Sequence, residues 1–142
     1  MMRIAAVAVA STLVFAACGG LGGGPRKVIV TEGVCNSVDL LRLNAGEVNR
    51  IVLDNGEHSD NQEGMTLRLV EFPILIRGDL PEGTTVGTTF TTTSIQADPG
   101  EEVSIEVEPT FLGEYRAECN IRLVRVDSHA IVQRTLVFQI VD

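Results

Sequence analysis

Four groups of side chains have types and spacings that invite chemistry. Asp127-Ser128-His129 holds the letters of a hydrolase triad. Consecutive residues in a turn point in different directions, however, and no Gly-x-Ser-x-Gly elbow presents a nucleophile. Asp54, Glu57, Asp60 and Glu63 offer carboxylates to Ca²⁺, but their spacing departs from the EF-hand loop, and a solvated acidic loop is the simpler reading. Zinc would need His58, His129 and a carboxylate, with no His-x-His or His-x-x-x-His pair to orient them. The three cysteines, Cys18, Cys35 and Cys119, cannot form a closed disulfide framework, so at least one serves another purpose. No catalytic constellation emerges, and the chain reads as a non-enzyme.

The composition narrows the partners. Eleven Lys plus Arg against nineteen Asp plus Glu give 142 residues a net charge of -8. That excess repels phosphate backbones, and no basic patch offsets it, so nucleic acid is excluded as a partner. The length suits one hydrophobic core.

The N-terminus reads as an address. A short basic start, Met1 to Arg3, leads into the uncharged stretch Ile4 to Ala17, rich in Ala and Val and broken only by Ser11 and Thr12. As a helix this stretch spans about 21 Å, short of the roughly 30 Å hydrocarbon core, so it fits an export signal rather than a stable span. Phe15-Ala16-Ala17-Cys18 resembles the lipobox of bacterial lipoproteins, although Phe15 stands where Leu is usual. The resemblance implies that residues 1–17 are a removed signal peptide and that Cys18 is lipidated. The mature protein would then be extracytoplasmic and anchored to a bacterial membrane. Removal of residues 1–17 takes one Arg and no acid, moving the net charge from -8 to -9. Residues 18–25 carry the lipid attachment and a tether: five glycines among residues 19–25 lose too much backbone entropy on ordering to hold structure. As a flexible coil this segment reaches roughly 15 Å.

From residue 26 to 142 the apolar period is two. Val28 and Val30, Leu41 and Leu43, Ile51 and Leu53, and Leu67 and Leu69 alternate with polar neighbours, as do Val103, Ile105 and Val107 and the final Leu136, Phe138 and Ile140. These are half-buried strands. Turn signals separate them at Asn44-Ala45-Gly46, Asp54-Asn55-Gly56, Gly78 to Gly83 and Asp98-Pro99-Gly100. Ser37 to Leu41 offers one helical turn, while Pro73, Pro81, Pro99, Pro109 and the threonine-rich run Thr84 to Thr93 oppose longer helices. Glu101, Glu102, Glu106 and Glu108 form a wet face opposite Val103, Ile105 and Val107. The pattern predicts an all-β, two-sheet sandwich of seven or eight strands in a single domain over residues 26–142.

The order of motifs resembles cupredoxins. Leu41-Arg42-Leu43-Asn44-Ala45-Gly46-Glu47 followed by Arg50 to Asn55 is similar to that family's second and third strands with their Ala-Gly-Glu turn. Asp98-Pro99-Gly100-Glu101 then leads into the strand Val103 to Val107, and Gly113-Glu114-Tyr115-Arg116-Ala117-Glu118-Cys119 resembles the family's Gly-x-Tyr-x-x-x-Cys segment. The resemblance implies a cupredoxin-like, antiparallel or mixed Greek-key sandwich. It also implies a copper ligand set of Cys119 as thiolate, His129 and His58 as imidazoles and Gln133 as axial ligand, since soft sulfur and borderline nitrogen suit both oxidation states.

This chain departs from the pattern twice. The strand Met65-Thr66-Leu67-Arg68-Leu69 puts Met65 where the first His belongs, and His129 follows Cys119 by ten residues instead of sharing one short loop with it. In the family order the end of the first strand, here Val34-Cys35-Asn36, lies beside the end of the cysteine-bearing strand. The resemblance therefore implies a Cys35–Cys119 disulfide, which persists in an exported protein and leaves no thiolate for copper. The favoured expectation is a metal-free, non-catalytic module that binds another envelope component through its loops or acidic face. Copper binding for electron transfer or copper delivery is the alternative.

Overall fold

The computed structural model describes residues 25–86 and 92–142. The predicted signal segment, the lipidation site Cys18, tether residues 19–24 and the middle of the threonine-rich run lie outside the described residues. The elements in chain order are β1 (Arg26–Val30), α1 (Glu32–Cys35), β2 (Leu40–Asn44), β3 (Asn49–Asp54), β4 (Gln62–Leu69) and β5 (Ile74–Arg77), then β6 (Thr85–Val86), β7 (Thr93–Ala97), β8 (Glu102–Pro109), β9 (Gly113–Arg125) and β10 (Ser128–Val141).

Two sheets result, one in the order β1-β3-β8-β5 and the other in the order β2-β10-β9-β4-β7-β6. β1 runs parallel to β3 and β2 parallel to β10, whereas β3–β8 and β9–β10 are antiparallel, so both sheets are mixed. The chain is thus the all-β two-sheet sandwich that the alternation predicts. The described residues contain ten strands, against the seven or eight expected. β5 and β6, at four and two residues, are too short to display a period.

Alternation builds the core. Val28, Val30, Ile51, Leu53, Ile105 and Val107 of one sheet pack in one cluster with Leu67, Leu69, Leu136, Phe138 and Ile140 of the other. Between them sits Phe72, fully buried, edge-on to Phe138 at 5.4 Å and tilted against Tyr115 at 5.6 Å. Phe72 belongs to no periodic segment. It turns inward where the chain passes from β4 in one sheet to β5 in the other, at a bend in which Glu71 adopts the left-handed region with φ 53°.

The helical turn falls one step earlier than the sequence suggested. Thr31, not Ser37, is the N-cap, its Oγ1 accepting from the Val34 amide at 3.2 Å. Ser37 instead closes the turn, donating from its hydroxyl to the Val34 carbonyl at 2.8 Å, and Leu40 and Leu41 join β2. A threonine followed by an acid at the first helical position outcompetes Ser37 because both its hydroxyl and the Glu32 charge favour the exposed amides.

The sandwich has two ends. At the N-terminal end, Arg26 donates to Asn44 Oδ1 at 2.9 Å, and the Ala45 and Gly46 amides donate to the carbonyls of Val141 and Pro109. The turn here needs Gly46, whose φ is 69°. At the opposite, hairpin end lie α1, the 55–61 loop, the Asp98 to Glu101 turn and the β9–β10 connection at Val126-Asp127. Asn55 and Glu101 are joined there by an amide-to-carbonyl bond of 2.9 Å.

Phe72→Ala removes a fully buried ring from the core cluster. It should cost about 3–5 kcal/mol, read as a fall in the urea unfolding midpoint at unchanged slope. A loss under about 1 kcal/mol would show that the ring does not organise the crossing between sheets.

Candidate functional site

The hairpin end gathers most of the singled-out residues, and a disulfide fixes its geometry. Cys35 is the last residue of α1, and Cys119 lies in the middle of β9, in register with Leu67 and Arg134. Their Sγ atoms are bonded, with Cα atoms 5.9 Å apart and a sequence separation of 84. Both cysteines are buried.

Next to this crosslink, Glu32 holds the 55–61 loop. Its carboxylate accepts from the Ser59 amide at 3.2 Å, the Ser59 hydroxyl at 2.8 Å and Gln62 Nε2 at 2.7 Å. Gln62 is only 6% exposed, and its Oε1 has no partner among the described residues. One residue past Cys35, Asn36 Oδ1 accepts from Arg134 Nε at 3.3 Å. These contacts shape an open cleft of about 640 Å³ between α1 and the loop, lined by Thr31, Glu32, Asn36, Asp54, Glu57 and His58. A smaller hollow of about 210 Å³ adjoins it, floored by Ile121, Leu123 and Val132.

The residues implied as copper ligands are not brought together. Cys119 is spent in the disulfide, and a sulfur so bonded is no thiolate. His58 is exposed at the rim of the cleft. His129 pairs with Glu63 at 3.1 Å and lies in register with Val124. Five residues of β9 separate Val124 from Cys119, or about 16 Å at the rise of a strand. Gln133 is exposed in register with Asn120, and Met65 is a core side chain. The physical reason is the length of β9: the strand continues to Arg125 before turning, where a copper site needs a short loop next to the cysteine. The chain's residues therefore do not fit the copper centre that the resemblance implied.

The other candidates disperse in the same way. His129 bonds to Glu63, not to Ser128 or Asp127. Asp54 Oδ1 accepts from the Gly56 amide at 2.9 Å, closing its own turn. Among the described residues, no three His, Cys, Asp or Glu side chains converge as a metal site would require. Glu32 and Gln62, which organise the cleft, escaped the sequence reading. Thr31-Glu32 carries a capping signal that could have placed Glu32 at a helix start, but nothing local points from Glu32 to a glutamine 30 residues away.

No family model matches the chain, and no curated protein matches it. Among solved structures the chain is similar to the solution structure of amebosin, at 16% identity and a TM-score of 0.30, over 83% of this chain and 100% of that one. It is also similar to the ASH/PapD-like domain of human CEP192 (PapD-like domain 7), at 14% identity and a TM-score of 0.31, over 84% of this chain and 83% of that one.

Cys35→Ser opens a loop of 84 residues. In the chain-entropy account the bond is worth about 4 kcal/mol, and the variant should lose stability on that scale in chemical unfolding. A change of a few tenths of a kcal/mol would mean that the crosslink does not constrain the unfolded chain.

Proposed function

We propose that the chain is a membrane-anchored extracytoplasmic lipoprotein whose cupredoxin-like sandwich is a metal-free, non-catalytic binding module. The observation that carries this reading is the Cys35–Cys119 disulfide. It is the crosslink that the family resemblance implies, it consumes the sulfur that copper would need, and it belongs to an oxidising compartment. Two further features support the reading. The export-signal pattern, Cys18 and the glycine-rich segment precede a domain that the chain enters at the end away from the cleft. The loops around Glu32 and Asp54 therefore face away from the anchor, where a partner in the envelope has access to them.

Thiol counting tests the metal-free part. Under denaturing, non-reducing conditions neither Cys35 nor Cys119 should react, and titration with Cu²⁺ should produce no intense thiolate-to-copper charge-transfer band. A reactive Cys119 together with that band would replace this reading with a copper protein for electron transfer or copper delivery. Fractionation tests the anchor: Cys18→Ser should move the protein from the membrane to the soluble fraction. Retention in the membrane would remove the lipid from the proposal.

A further inference from the structure

β10 is fourteen residues long, yet β2 pairs with it only from Val137 to Val141. Among the described residues no strand pairs with the same side of β10 between Ser128 and Leu136. The segment after α1 crosses part of this edge, where Arg134 is bonded to Asn36, and leaves Ser128 to Gln133 open.

The direction of the free backbone groups follows from one bond. The Val124 amide donates to the Asn61 carbonyl at 2.7 Å, on the β4 side of β9. Val124 therefore turns its backbone groups away from β10, and its register partner His129 turns its own away from β9. Alternation gives Ile131 and Gln133 the same outward orientation. The result is a short ladder of donors and acceptors without a backbone partner among the described residues.

Nothing blunts this edge. Ser128-His129-Ala130-Ile131-Val132-Gln133 contains no Lys, Arg, Asp, Glu, Pro or Gly, the residues with which exposed edges resist pairing. Ile131 is 68% exposed, and Val126 and Val38 beside the edge are fully exposed.

The geometry points to a second copy of this chain as the occupant, its β10 antiparallel to the first about a twofold axis at Ala130. His129 of each copy then faces Ile131 of the other, and these pairs exchange main-chain hydrogen bonds. Ala130 faces Ala130 as a non-hydrogen-bonded pair. The register carries the Val126-Asp127 turn of each copy to the Asn36–Arg134 region of the other, setting Asp127 near the second copy's Arg134 and Val126 near its Val38.

Charge selects this occupant over an unrelated strand. Among the described residues Arg134 has only the neutral Asn36 as a side-chain partner, and Asp127 makes no ion pair. A partner strand of either sign satisfies one of these charges and opposes the other, whereas a second copy satisfies both. The contact is isologous and closes at two. It depends neither on the anchor nor on the absence of metal.

An engineered crosslink tests the register on the full chain expressed into an oxidising compartment. Across a non-hydrogen-bonded antiparallel pair the Cα atoms lie about 4.5 Å apart, within disulfide reach, so Ala130→Cys should give about tenfold more crosslinked dimer than Ser128→Cys or Phe111→Cys. Asp127→Arg should suppress that crosslink, and the swap Asp127→Arg with Arg134→Asp should restore it. On the unsubstituted chain, sedimentation over a concentration series should show a dimer that Ile131→Pro abolishes, since that proline removes only an outward amide. A crosslink from Ala130→Cys no greater than from Phe111→Cys, its capture by a different protein, or a monomer at every concentration would overturn the inference.

Discussion

The bond between Cys35 and Cys119 joins two parts of the chain that hydrogen bonding alone would leave independent. α1 is a single turn of four residues, too short to persist without an external hold. With its last residue fixed to the middle of β9, its first residue, Glu32, comes within reach of Ser59 and Gln62, and the following Asn36 comes within reach of Arg134. The 55–61 loop and the cleft beside it are thus positioned from the disulfide outward. The same placement shields β10 next to Arg134 and leaves its first six residues open.

What the sequence made legible follows from how far each signal reaches. Alternation in Val28 to Val30, Ile51 to Leu53 and Leu136 to Ile140 is a local property of the backbone, and all three segments are strands with those side chains in the core. The disulfide was readable only through family likeness, because two cysteines 84 residues apart carry no local mark of proximity. The length of β9 was not readable. Leu123-Val124-Arg125-Val126 runs on without a glycine or proline, and the connection at Val126-Asp127 has no Asn-Gly signature to announce it. The family pattern puts a short loop next to Cys119, where the strand in fact continues. Phe72 was missed for the opposite reason. It is placed by a bend between sheets and not by any period.

The acidic surface also proves uneven. On the outer faces of the sheets, Arg50 meets Glu106 at 2.6 Å, Arg77 meets Glu108 at 2.7 Å and Arg68 meets Glu118 at 3.0 Å. Each pair is partly exposed, so its contribution to stability is small. Its effect on the field is larger, because Glu106, Glu108 and Glu118 are each matched by a base on a neighbouring strand. The face read from the sequence as a wet run of glutamates is close to neutral where Glu106 and Glu108 are concerned.

Acids outside these pairs lie at both ends of the sandwich, at Asp54, Glu57, Asp60, Glu101 and Glu102 by the hairpin end and at Glu47, Glu71, Glu114 and Asp142 by the other. The N-terminal end carries Arg26 and Lys27 where the chain enters the domain. On the proposed anchor, an anionic membrane surface attracts Arg26 and Lys27 and repels the acids of both ends, and the force acts within about a Debye length, roughly 8 Å in physiological salt. On that proposal the chain enters the domain at the end opposite the cleft and the open start of β10, so a contact between proteins there does not compete with the membrane.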